Sequence, residues 1–178
     1  MLLITREFEK QVTALQARDF EAALTVVRAL DAFLYFNCGY NSGASQPHKH
    51  MQLIPLANMN QEGVLPIEEA AIKSGNFKAG ATFKLHQLEP MRHVFYGLDG
   101  ANLDGEILGR AYHECLAQLG IAPENPEDEV ENHSFWLTQR MMFVVVRACP
   151  GFPHPDDKSI NLEFNTTAYT GNFGCRNE

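Results

Sequence analysis

Residues 141–148 read Met-Met-Phe-Val-Val-Val-Arg-Ala and look like a strand. A strand sends successive side chains to opposite faces. Met141, Phe143 and Val145 therefore share one face, and Met142, Val144 and Val146 the other. Both faces are apolar, so this strand belongs inside a sheet covered on both sides. Residues 135–138 precede it as the partner of a hairpin. Further strands are predicted at residues 2–5, 33–36, 48–54 (stopped by Pro55), within 82–96 and at 160–164. Two segments carry a strong helical period. Phe20, Leu24, Val27 and Leu30 line one face after a cap at Asp19. Ile107, Leu108, Ala111, Cys115 and Leu119 line another between a cap at Asp104 and Gly120. A short helix is expected at residues 67–73. Many strands and few long helices predict an α+β fold, a largely antiparallel sheet with two main helices. Residues 37–47, the acidic stretch 123–132 and the proline-rich stretch 149–157 read as loops, and the tail after Phe164 as loosely ordered.

The chain has 178 residues, 45% hydrophobic, enough for a real core. It contains no apolar run of membrane-spanning length and no signal-peptide pattern, which predicts a cytoplasmic protein with no membrane partner. Its formal charge of −8 argues against nucleic acid as a partner. Cys38, Cys115, Cys149 and Cys175 are scattered without a CxxC pair, so neither a disulfide framework nor a structural zinc site is predicted.

The chemistry concentrates in residues 41–53, Asn-Ser-Gly-Ala-Ser-Gln-Pro-His-Lys-His-Met-Gln-Leu. On a strand, His48, His50 and Gln52 share one face, while Lys49, Met51 and Leu53 share the other. The second trio can pack on a core while the first looks into a cleft. A His-x-His pair could chelate zinc, but a third ligand at suitable spacing is missing. Structural histidines on a sheet are a second reading. Nucleophilic or acid–base catalysis is the third, and the preceding loop favours it. Gly43 permits a tight turn, Ser42 and Ser45 carry hydroxyls, and backbone N–H groups of such a turn can cradle an anion.

The segment resembles the active-site stretch of the diadenosine tetraphosphate phosphorylases, or ATP adenylyltransferases, of the histidine-triad superfamily, on its His-x-His-x-Gln branch. Residues 2–11, 30–50, 91–95 and 135–147 are similar to that family in the same order. The resemblance implies a histidine-triad-like fold, with a catalytic half over residues 1–81 and an ATP adenylyltransferase-like half over 82–178, packed as one unit. It implies a nucleotidyltransferase that cleaves diadenosine tetraphosphate with phosphate, giving ADP and ATP through a nucleotidyl-histidine. His50 matches the nucleophile, His48 would orient the site, and Gln52 would bind phosphoryl oxygens. Asn41, Ser42, Gly43, Ala44 and Ser45 would border the phosphates, with Arg92 and Arg147 as polyphosphate contacts. The expected partner is a nucleotide. No resident metal is expected, only a divalent cation travelling with the polyphosphate.

The sequence also departs from the family. Members are longer, with a segment ahead of the position of Leu2, so a shortened chain is expected. An open sheet edge in such a chain would favour homo-oligomers. His133, Ser134, Phe135 and Trp136 stand where Tyr-Asn-Leu-Leu is typical, and the ending is only faintly similar. The alternative function is a nucleotide-binding relative with little turnover. The branch that transfers uridylyl groups usually has proline between the histidines, where this chain has Lys49.

Overall fold

The computed structural model describes residues 1–59, 63–98, 100, 103–159 and 161–171. Its strands in chain order are β1 (Leu2–Ile4), β2 (Ala32–Cys38), β3 (His50–Pro55), β4 (Thr82–Phe83), β5 (His93–Gly97), β6 (His133–Leu137), β7 (Met141–Val146), β8 (Gly151–Pro153) and β9 (Asn161–Glu163). The helices are α1 (Ala17–Leu30), α2 (Pro66–Lys73) and α3 (Gly105–Gln118). Seven strands form one sheet in the order β1-β3-β2-β6-β7-β5-β4, with antiparallel neighbours throughout. β7 lies between β6 and β5, where two apolar faces require it to be. All seven residues of β2 are buried as well, and β2–β6 joins the two ends of the sheet.

α1 and α3 pack side by side on one face. Phe20, Leu24, Val27, Leu108, Tyr112 and Leu116 meet Leu34, Phe36, Leu53, Phe135 and Val144 there. Gly105 lets α3 start against α1, because a Cβ at that position would run into the Ala17 carbonyl and the Glu21 amide. The opposite face carries Phe33, Tyr35, Phe95, Trp136, Phe143 and Val145, covered in part by Leu65 and Ala71 around α2 and by Tyr169. These stripes follow from strand alternation read across the register of β2, β6, β7 and β5.

Several expectations needed correction. α1 begins at Ala17, with Gln16 as its N-cap and Asp19 one turn inside. The Asp19 carboxylate accepts from the Gln16 amide at 2.8 Å, yet the residue is buried beside Lys49, which draws it inward. Leu30 ends the helix exposed. The short helix expected at residues 67–73 is present as α2, opened by Pro66 at its first position. The proline-rich loop contains β8, which pairs with β9 in a separate two-stranded sheet. Ile160, expected to begin that last strand, lies outside the described residues. The tail is ordered further than expected: Thr166–Thr170 forms a 3-10 turn with Thr166 and Thr170 buried. Residues 172–178, including Cys175, lie outside the described residues.

Candidate active site

β3 alternates as its sequence requires. Lys49, Met51 and Leu53 are buried toward the helices, and His48, His50 and Gln52 remain partly exposed on the other side. His48 itself precedes β3 and meets Lys10 in an isolated bridge. Lys49 is only 2% exposed. Its ammonium contacts Glu9 at 3.0 Å, the Ala14 carbonyl at 3.1 Å and Asp19 at 3.9 Å. A lysine can be buried when charges and acceptors surround it in this way. Burial pushes the Asp19 carboxyl above its ordinary range, against the pull of the Gln16 amide and Lys49. Burial also acts upward on Glu9, but its bonds to Lys49 and Arg18 outweigh it, and the net shift is downward.

The His50 ring is fixed by its own strand. Nδ1 lies 2.9 Å from the His48 carbonyl oxygen. A carbonyl only accepts, so Nδ1 carries the proton, and in the neutral ring Nε2 keeps the lone pair. His48 Nε2 lies 3.0 Å from Thr5 Oγ1 and 3.2 Å from the Glu7 carbonyl. The same logic puts the proton of that imidazole on Nε2, tying it to the loop after β1. Phe8 flanks the His48 ring at 5.5 Å. Gln52 is oriented from the neighbouring strand, because Tyr35 donates its hydroxyl proton to Gln52 Oε1 at 2.9 Å. The amide NH₂ of Gln52 is thereby left as the half that can donate to a phosphoryl oxygen. Tyr35, Gln11, Thr5 and Asn37 were missed in the sequence, since nothing in their own segments signals a site.

The loop before His48 divides into two parts. Ser42 is buried and donates to the Gly39 carbonyl at 2.6 Å. The amides of Ser42, Gly43 and Ala44 bond to carbonyls of Gly39 and Tyr40, so this turn closes on itself rather than opening as an anion nest. Gly43 takes a left-handed conformation, φ 96°, that only glycine adopts freely. Asn41 is tied down too: its amide donates to Asn132 Oδ1 and its side-chain NH₂ donates to the Ala148 carbonyl. Ala44 and Ser45, by contrast, line an open cavity of about 500 Å³ with Phe8, Lys10 and Tyr40. A second cavity of about 520 Å³ touches His50 but lies between β1, β3 and α1, among Leu3, Arg18, Ala22 and Lys49. It borders the helix side of β3, away from the face that carries His48 and Gln52.

Arg92 and Arg147 are placed apart from this face or are already engaged. Arg92 pairs with Glu131 at 2.8 Å and donates to the Leu119 carbonyl at 2.7 Å, on the α3 side of the sheet. Arg147 shares the sheet face of His50 but is 5% exposed. Its guanidinium donates to Ser134 Oγ and to the carbonyls of Cys149, Pro150 and Phe164, and stacks 5.1 Å from the Tyr169 ring. Two strand spacings, roughly 10 Å, separate Ser134's strand from β3. Trp136 lies in the core between Tyr35 and Phe143, and its indole N–H is the single buried side-chain polar atom without a partner among the described residues. Among those residues, no group of three His, Cys, Asp or Glu side chains converges as a metal site would require. No described helix is long and apolar enough to cross a membrane.

Comparison with known proteins bears on the fold and the family. The Ap4A phosphorylase N-terminal domain model matches residues 1–73, and the ATP adenylyltransferase C-terminal domain model matches residues 87–178. Diadenosine 5′,5‴-P1,P4-tetraphosphate phosphorylase 2 of Saccharomyces cerevisiae is 25% identical over 96% of this chain. Protein APA1 of the same yeast is 24% identical over 99% of it. The chain spans 56% and 57% of those two relatives, little more than half their length. The crystal structure of yeast Ap4A phosphorylase Apa2 in complex with Ap4A superimposes with a TM-score of 0.74 at 21% identity, over 96% of this chain and 58% of that one. The AMP complex of Apa2 gives 0.71 at 24%. These solved structures establish the shared fold. With both domain models matched in order along one sheet, the chain belongs to the Ap4A phosphorylase and ATP adenylyltransferase family.

Proposed function

We propose that this protein is a cytoplasmic nucleotidyltransferase that cleaves dinucleoside polyphosphates, with diadenosine tetraphosphate and phosphate giving ATP and ADP. The observation that carries this reading is the His50 ring, whose Nδ1–H is held by the His48 carbonyl. His50 Nε2 would attack the α-phosphorus. An N–P bond forms, the P–O bond to the leaving ATP breaks, and adenylyl-His50 remains. A phosphate oxygen then attacks the same phosphorus, the N–P bond breaks, and ADP leaves with the imidazole restored. Two displacements replace one difficult step. Gln52, held by Tyr35, would donate to the phosphoryl oxygens, and His48 would steady the strand beside them. Ala44 and Ser45 border the cavity where the polyphosphate would run, with Gly43 making the turn and Asn41 and Ser42 shaping it from within. Arg147 would act by holding the 149–164 segment over this face, and Arg92 by fixing the far end of α3. A divalent cation would enter with the polyphosphate.

The test is incubation with diadenosine tetraphosphate, with and without phosphate. ADP plus ATP is the expected product pair. AMP plus ATP would mean hydrolysis, and binding without products would mean a nucleotide-binding relative. His50→Ala should carry no adenylyl label by mass spectrometry, and label on that variant would sink the assignment. Gln52→Ala should slow the reaction by about 10²–10³, as loss of a transition-state donor commonly does.

A further inference from the structure

We propose that Gln11 is a positioning residue for the nucleophile, standing in for a missing rung of the sheet beneath His50. The inference rests on the reading of His50 given above. β2 and β3 pair Phe33 with Ile54 and Tyr35 with Gln52. In an antiparallel ladder, hydrogen-bonded pairs recur every second residue. Asn37 and His50 come next, but the pairing stops at Tyr35–Gln52. The Gln11 side chain fills the gap. Its Oε1 accepts from the His50 amide at 2.7 Å, and its Nε2 donates to the Asn37 carbonyl at 2.8 Å and the His50 carbonyl at 3.2 Å. Both donors and the acceptor of one side-chain amide are thus used on the backbone.

Gln11 is itself held from behind. It is 2% exposed, and its own amide donates to the Pro47 carbonyl at 2.8 Å. The Lys49 amide bonds the Glu9 carbonyl at 2.8 Å in the same local pairing. The backbone from Pro47 to His50 is therefore clamped by residues 9–11 at both ends. That backbone includes the His48 carbonyl, the group that fixes His50 Nδ1 and so aims Nε2. The coupling runs from the Gln11 amide, through the 48–50 backbone, to the ring. The same insertion spreads β3 from β2 by the width of an amide at the level of the nucleophile. Near-attack geometry is sensitive to small displacements, so a loosened backbone should slow chemistry more than it weakens binding.

Gln11→Met keeps the length and removes both donors and the acceptor. Single-turnover formation of adenylyl-His50 at saturating diadenosine tetraphosphate, read by quench and mass spectrometry, should fall about 10- to 100-fold. Affinity for AMP, read by calorimetry, should stay within about threefold of the parent. Cys115→Ala, in α3 away from the site, serves as a destabilised control and should keep its rate. A Gln11→Met rate within about threefold of the parent overturns the inference. So does a rate loss matched by an equal affinity loss, or by an equal loss in the control. Gln11→Glu retains an acceptor for the His50 amide but turns an oxygen on two carbonyls. Its rate relative to the parent should rise as pH falls from about 8 to 5.5, because protonation restores a donor. A flat ratio overturns the inference, and so does failure of both variants to fold, which would make the amide a folding requirement. A parent that forms no adenylyl-histidine defeats the proposed function itself, whereas variants that match a labelled parent defeat this inference alone.

Discussion

The aim of the Gln52 amide depends on a single hydrogen bond from the neighbouring strand. Tyr35→Phe removes the bond that orients Gln52 and leaves the ring packing intact. One such bond contributes about 0.5–1.5 kcal/mol, so the adenylyl-transfer rate should fall about tenfold at most, measured with the fold checked by circular dichroism. Lys49 acts on the other face of the same strand. Lys49→Met leaves the Asp19 carboxylate buried without its cation, at about 3–5 kcal/mol by denaturant unfolding near neutral pH. Because the Asp19 pKa already lies above its ordinary value, protonation is the escape, and the loss should shrink as pH is lowered through the acid range. A variant equally destabilised at every pH would contradict that pairing. At this scale the sequence was informative where alternation applies: His48, His50 and Gln52 share a face because a strand has period two. It was silent on Gln11 and Tyr35, whose partners lie 39 and 17 positions away. It also misjudged what Ser42 does, because a serine in a turn can donate within the loop as readily as to a ligand.

The helices and strands were legible wherever one residue type repeated at one period. β7 was placed inside the sheet by its two apolar faces, and α3 by its stripe and by Asp104, whose carboxylate accepts from the Ile107 amide at 2.7 Å. The start of α1 was misplaced because Asp19 resembles a cap yet serves as the third helical residue and a partner of Lys49. β8 was hidden by Pro153 and by Pro150 just before it; a proline is tolerated in an edge strand such as either strand of a two-stranded ribbon. How closely α1 and α3 approach is set by Gly105. Gly105→Ala would press a methyl group on the backbone of α1 and should cost about 1–3 kcal/mol, read as a lower denaturation midpoint. Asp104→Ala, on the exposed cap of the same helix, should cost about 1 kcal/mol by the same measurement.

The main sheet is assembled from both parts of the chain. β1, β3 and β2 come from its first part and β6, β7, β5 and β4 from its second, so the β2–β6 seam is a long-range pairing that no local pattern announces. Its pH response follows from His133 on that seam. Burial pushes its imidazole from 6.5 down to about 4, while the Glu131 carbonyl pulls the other way. Its Nδ1 faces that carbonyl, so Nε2 accepts from the Tyr112 hydroxyl at 2.7 Å, and folding requires the neutral ring. Stability from this group is complete above about pH 6.5 and declines as pH falls toward 4, by about 3 kcal/mol at most. Urea midpoints at pH 7 and 4.5 should show that decline in the parent and a shallower one in His133→Gln. The Arg147 clamp has a different consequence. It grips residues 149, 150 and 164 by their carbonyls alone. Main-chain oxygens are the same whatever side chain they accompany, so the grip places no demand on the identity of those three residues. The stretches around these carbonyls can therefore drift in sequence while staying fastened to β7, and a faint family likeness there is what such a fastening permits.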